Sequence, residues 1–382
     1  MAPSDKTPDA DEISQPEDEA LKKDEAIEKN ASEKKPEEIA DIVEDQPRLR
    51  KRDKRVLAAI AVTAIVTFFG GLVLAGYAAI NYKYERAHDG AEDQIAFAIP
   101  KGAGLSSIAQ RLEKEEFIES AFIFKAVTKL RGNESNFKAG EFYLSKNMSM
   151  ASIYEGLANG KAILYPYTAA EGLTSAMIVR ALDGAANLED DNPEVPAEGT
   201  LLPETYLTPR GMSQSQLLEK MALAQKELID AAWENRDPDI PVKTKEEAII
   251  LASVVEKETG VGMERGVVAG VFSNRLKIGM KLQSDPTIIY GISKGEPLGR
   301  RIRRSEIDRK TAWNTYQIDA LPKTPICNPG KDAILAVLNP TETDALFFVA
   351  DGTGGHAFAK TLREHEKNVK KWRKIQRERG LR

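Results

Sequence analysis

Two glutamates close an apolar run in "ILASVVEKETG", residues 250–260. A carboxylic acid in apolar surroundings has its charged form disfavoured, so it keeps its proton nearer neutral pH and suits donation to a glycosidic oxygen. On a helix, two residues turn about 200°, so Glu256 and Glu258 point to roughly opposite sides and cannot flank one bond as a carboxylate pair. Glu256 has Ala252 and Ser253 on one side and Thr259 and Gly260 on the other, all small enough to leave room for a ligand. Glu258 has Val254 and Val255 behind it. By pattern alone, a solvated or ion-paired helix acid describes Glu256 better than a catalyst does.

Other polar words admit the same two readings. In "LQSDPTIIYG" (282–291), Gln283, Ser284, Asp285 and Thr287 surround a proline; they form either a turn closing a helix-to-strand connection or a hydrogen-bonding edge for a sugar or amide. In "AWNTYQIDALPKTPICNPG" (312–330), Trp313, Asn314, Tyr316 and Asn328 either stack on and bond a glycan or build a proline-rich loop. "ADGTGGHAF" (350–358) lies between strands and lacks the Lys-Ser/Thr of a phosphate loop, and "HEKN" from His365 lacks the second histidine of a zinc protease. With three histidines in the chain, Ser-His-Asp chemistry has little support. The single cysteine, Cys327, rules out an internal disulfide framework and cysteine-rich zinc sites. The sequence therefore predicts no metal and no cofactor; carboxylates, amides and hydroxyls remain.

The elements that must position these groups are α+β. Thr244 caps a helix whose first turns carry Glu246 and Glu247 and which Gly260 ends; a second helix ends near Gly279. "DALFFVADGTGGHAFAKTLREHEKNVKK" reads as a strand, a glycine-rich turn, a strand and a final helix. Upstream, Ile95 to Ile118 reads as strand, turn and a helix with the stripe Leu105, Ile108, Ala109 and Leu112, and residues 137–161 repeat that order. The expected divisions are a module at 95–162, a connecting subdomain at 163–240, a mixed α+β catalytic domain at 241–370 and a basic tail at 371–382.

The N-terminal part differs in composition. Residues 1–55 are read as a disordered tail, rich in Asp, Glu, Lys and Pro, that ends in the basic cluster "RLRKRDKR". Residues 56–80 carry no charge, long enough at about 1.5 Å per residue to cross a hydrocarbon core of about 30 Å. The basic flank places the tail in the cytoplasm and everything after the helix and a linker (81–94) outside it, with Tyr77, Tyr82 and Tyr84 at the outer interface. Over the whole chain 54 basic and 59 acidic residues nearly balance, at a net charge of −5, so no nucleic-acid partner is expected.

Several words, in order, resemble one family: "EGLTSAMIV" at Glu171, "EGTLLPETY" at Glu198, "LASVVEKET" at Leu251, "VFSNRLKIGMKLQSDPTIIYG" at Val271, "NTYQIDALPKTPICNPG" at Asn314 and "FFVADGTGGHAFAKTLREH" at Phe348. They are similar to the endolytic murein transglycosylases of the MltG (YceG-like) type. The resemblance implies a LysM-like module ahead of the catalytic domain, a single-pass inner-membrane anchor and a periplasmic site. It implies cleavage of the β-1,4 bond between N-acetylmuramic acid and N-acetylglucosamine in nascent strands, leaving a 1,6-anhydro end. On this resemblance the catalyst falls on Glu256, with Glu258, Gln283, Ser284, Asp285, Thr287, Asn314, Tyr316 and Asn328 around the substrate. Glycan strands, the membrane and cell-wall synthesis proteins are the partners implied. The chain departs from the family's words at Lys323-Thr324, where Pro-Gly is usual. The rival reading is a membrane-anchored, non-catalytic wall-binding scaffold.

Overall fold

The structure, a computed structural model, describes residues 51–133 and 137–380. Almost all of the expected tail, residues 1–50, lies outside the described residues. The chain divides into two compact units, Met1–Ala79 and Ile80–Arg382.

The described part of the first unit is the body of helix α1 (Lys51–Glu85), in which every residue from 52 to 79 is exposed. It is the one helix among the described residues long and apolar enough to cross a membrane. Apolar side chains turned outward on all faces over this length need an apolar surrounding, which a bilayer supplies.

The second unit holds three apolar clusters. The first joins β1 (Ile95–Ile99), α2 (Leu105–Lys114), α3 (Ala121–Leu130), β2 (Gly140–Leu144) and α4 (Met150–Ala158). β1 and β2 pair antiparallel from Ile95 opposite Leu144 to Ile99 opposite Gly140. The predicted stripe of α2, Leu105, Ile108, Ala109 and Leu112, is buried. Tyr84 also belongs to this core, at 1 % exposure beside Phe124, rather than to a membrane interface. Burial of its ring against an aromatic neighbour outweighs the interfacial preference of tyrosine.

The second cluster packs α5 (Ser175–Leu182) and the first half of a longer helix against an antiparallel pair, β3 (Leu164–Thr168) and β5 (Thr205–Pro209); short β4 (Leu188–Glu189) and β6 (Met212–Ser213) pair in parallel. That longer helix, α6 (Gln214–Glu234), carries a capping box at Ser213 and Gln216 and runs on into the third cluster.

In the third cluster α7 (Lys245–Glu258) is central, with α6, α8 (Arg265–Lys277), α9 (Asp285–Ser293) and α11 (Lys331–Leu338) packed round it; a single turn, α10 (Arg304–Ile307), lies between α9 and α11 in the chain. Thr244 caps α7 as predicted, accepting the Glu247 N–H at 3.2 Å. Ala248, Ile249 and Leu251 through Val255 are all buried, so the apolar run is the body of a helix enclosed on nearly every face. The hairpin β7 (Phe347–Ala350) and β8 (His356–Ala359) and the final α12 (Leu362–Glu378) complete the unit.

Two local expectations change. Residues 285–293 form helix α9 rather than a turn into a strand, because Pro286, with its fixed φ, sits in the first helical turn where no N–H is required. The basic end continues α12 through Glu378, past the boundary expected at 370, from a capping box at Thr361 and Glu364.

Candidate active site

The two glutamates at the end of α7 face different surroundings. Glu256 enters a tight ionic knot: its side chain is 6 % exposed, its Oε2 accepts the Gly330 N–H at 3.0 Å and its Oε1 lies 3.5 Å from Arg265 Nη2. Gly330 caps the N-terminus of α11, whose dipole favours a carboxylate there. The same Arg265 reaches Glu171 at 3.5 Å and Asp332 at 3.4 Å. Burial raises the Glu256 pKa, opposed by the Gly330 N–H and by Arg265. Of the small neighbours expected to leave ligand space, Ala252, Ser253 and Thr259 are buried, with Ser253 accepting the Ile326 N–H at 3.0 Å, while Gly260 stays exposed with open space around it.

Glu258 points the other way, and three of the predicted polar residues, Ser284, Asp285 and Tyr316, gather there. Burial pushes its carboxyl up to about 6; the Asp285 charge adds to the rise, while Ser284, His356 and Arg275 oppose it. Ser284 holds the N-cap position of α9 yet caps nothing with its side chain. Its buried hydroxyl makes no well-formed hydrogen bond among the described residues and stands beside the Glu258 carboxyl. Asp285, exposed on the first turn of α9, accepts the Tyr316 hydroxyl at 2.7 Å. Burial and then Asp285 push the Tyr316 pKa upward, so its proton stays in place. Gln283 is exposed at φ 51°, a left-handed conformation that costs a non-glycine residue about 1 kcal/mol or more and concentrates at functional sites.

The remaining expected residues build the frame. Thr287 is fully buried and bonds Ser284 O at 2.6 Å and Thr315 Oγ1 at 2.9 Å, tying α9 to the following loop. The Asn314 amide nitrogen bonds three carbonyls, those of Glu306, Ile307 and Arg309. Asn328 receives the Leu201 N–H at 3.0 Å and donates to Leu173 O and Ser175 Oγ. With their side-chain groups occupied inside the protein, Thr287, Asn314 and Asn328 position the site and leave little to offer a substrate, contrary to expectation.

Sequence reasoning missed four contributors. Arg275 is buried and braced by Leu346 O at 2.7 Å and Leu282 O at 2.5 Å, so its cation partly balances Glu258. His356, far from Glu258 in sequence, joins Glu264 through both its backbone N–H (2.8 Å) and Nδ1 (2.7 Å); Glu264 and the neighbouring Arg265 follow shortly after the end of α7. The rarity of histidine was the only available signal. Among the described residues no group of three or more His, Cys, Asp or Glu is arranged to hold a metal ion.

Comparison with known proteins points in one direction. The YceG-like family matches residues 97–371. A Bacillus subtilis protein named endolytic murein transglycosylase is 29 % identical over 305 residues, covering 72 % of this chain and 83 % of the relative. A Streptococcus pneumoniae protein of the same name is 27 % identical over 360 residues, covering 81 % of this chain; the match spans 64 % of that relative's length. A crystal structure of a YceG-like protein from Listeria monocytogenes aligns at a TM-score of 0.46 with 27 % identity, covering 72 % of this chain and 99 % of the other.

Proposed function

The chain belongs to the YceG-like family, and on that premise we propose that it is a membrane-anchored peptidoglycan lytic transglycosylase whose acid is Glu258. One observation carries the assignment: Ser284, Asp285 and Tyr316, expected around a substrate, surround Glu258 and not Glu256. Protonated Glu258 gives its proton to the glycosidic oxygen of the muramyl β-1,4 bond as the bond from C1 breaks. The muramyl 6-hydroxyl attacks C1, and its proton returns to the Glu258 carboxylate. A 1,6-anhydro end and a free 4-hydroxyl result. No water is consumed and the acid is regenerated, so one carboxyl serves both steps. Asp285 and Arg275 flank the developing positive and negative charges, and Gln283 and Tyr316 offer polar groups to the sugar.

Glu256 has a different part in this reading. Its bonds to Gly330 and Arg265 fasten the last turn of α7 to α11 and α8, which fixes where Glu258 points. The β1–α2–α3–β2 order supports reading residues 95–162 as a LysM-like glycan-binding module. The basic flank supports a cytoplasmic N-terminus and a periplasmic site.

The test compares the full chain in detergent micelles with Glu258→Gln and Glu256→Gln, using peptidoglycan as substrate and mass spectrometry of the anhydro-ended products. We expect Glu258→Gln to lose about 10²–10⁴-fold in rate, the usual contribution of a general acid, and Glu256→Gln to retain more activity. The opposite ranking would return the acid to Glu256, where the family resemblance places it. Absence of product from the unaltered chain would favour the scaffold reading.

A further inference from the structure

The uncharged span of α1 ends at Ile80, and the first module begins almost at once: Tyr84 is already buried in that module's core. Residues 80–88 and α3 belong to one compact unit, and their contacts fix the direction of α3. His88 Nδ1 lies 3.5 Å from Glu119 Oε1, just ahead of α3, and the Tyr84 ring stands 6.2 Å from that of Phe124. Arg131, the C-cap of α3, donates through Nη2 to Asn81 Oδ1 at 3.1 Å and to Glu85 Oε1 at 2.7 Å. Residue numbers rise along α3 as those of its partners fall toward Ile80. The helix therefore runs back toward the span, and its C-terminal end lies beside the first residue that follows it.

Leu130, at that end, is 74 % exposed, and Phe122, near the other end of α3, is 72 % exposed. An exposed apolar side chain is ordinary on a soluble surface. What distinguishes Leu130 is its place, next to an arginine that holds the first residue after the span. The charge around it also has one sign: residues 121–133 carry Lys125, Lys129 and Arg131 and no acid. An apolar side chain beside a lysine, at the depth of lipid headgroups, suits an anionic leaflet, because the leucine can enter the acyl boundary while the ammonium stays with the phosphates.

We propose that the C-terminal end of α3 is a second membrane contact, with Leu130 seated at the acyl boundary of the nearer leaflet and Lys129 among its anionic headgroups. The proposal rests on the reading of α1 as a membrane anchor. Phe122 stands about 12 Å farther back along α3, so it remains in water although it is as exposed as Leu130. A single crossing helix would leave the module free to tilt. A second point of contact fixes that tilt, and with it the height above the leaflet at which the module meets a glycan strand.

The experiment places the full chain, as single copies, in phospholipid nanodiscs and measures how fast Leu130→Cys and Phe122→Cys react with a charged, water-soluble thiol reagent. Cys327 is buried and does not compete in the folded chain. Since the two positions are equally exposed in the protein, a difference in rate reports the bilayer. In discs of phosphatidylcholine and phosphatidylglycerol, Leu130→Cys should react about tenfold more slowly, because an apolar boundary disfavours the thiolate and excludes the charged reagent. The gap should narrow in phosphatidylcholine alone, where Lys129 has no anionic lipid to meet; a gap of equal size in both lipids overturns the part given to Lys129. Equal rates in the mixed discs, or slower reaction of Phe122→Cys, overturn the contact while leaving the anchor reading intact. A chain that stays soluble without detergent and enters no disc overturns the anchor reading, and the contact with it.

Discussion

In the proposed mechanism Glu258 acts in its protonated form, so the pH dependence of kcat/KM would report on it directly. With its carboxyl at about 6, about nine-tenths of the enzyme is competent at pH 5 and about one-tenth at pH 7, so the rate falls about tenfold across that interval. Asp285→Asn sharpens the test. Its negative charge contributes to the rise from 4.5 to about 6, a displacement of about 1.5, but burial is the larger cause. Removing the charge should therefore move the limb to lower pH. At pH 7 a downward move of about 0.5 would cost a further factor of about three in rate. The assay is the initial rate of anhydro-ended product release at low substrate, from pH 4.5 to 8 at constant ionic strength. An unaltered-chain limb near 4.5, or one that Asp285→Asn moves upward, would refute the electrostatic account of the site.

Two stability predictions concern the region behind the site. Gly199→Ala should destabilise the chain by about 2–4 kcal/mol, because φ is 78° and the added Cβ would stand 2.6 Å from Pro325 Cγ and 2.8 Å from Ile249 Cγ2; a melting temperature within a degree of the parent would contradict this. Burial pushes the Glu198 carboxyl from 4.5 up to about 7. Between those values the folded state binds a proton that the unfolded state has lost, so stability should fall with rising pH, by about 2–3 kcal/mol in all. Glu198→Gln should flatten this part of the denaturation midpoint against pH; an equally steep curve in the variant would assign the slope to other groups.

Much was legible in the one-dimensional pattern. The uncharged stretch of α1, the amphipathic stripe of α2 and the cap at Thr244 depend on neighbours within a few residues, so composition and spacing determined them. The family words were equally local. Periodicity also showed that Glu256 and Glu258 diverge, because a helix fixes the angle between them. Which of the two meets the polar residues was decided by the tertiary structure. Arg265 and Gly330 claim Glu256, while Ser284, Asp285 and Tyr316, brought by α9 and a loop some thirty to sixty residues downstream, close on Glu258. Asn314 and Asn328 look like ligand amides in sequence, but burial and backbone partners turn them into frame. A side chain's type states what it can bond; only packing determines whether those bonds are already made.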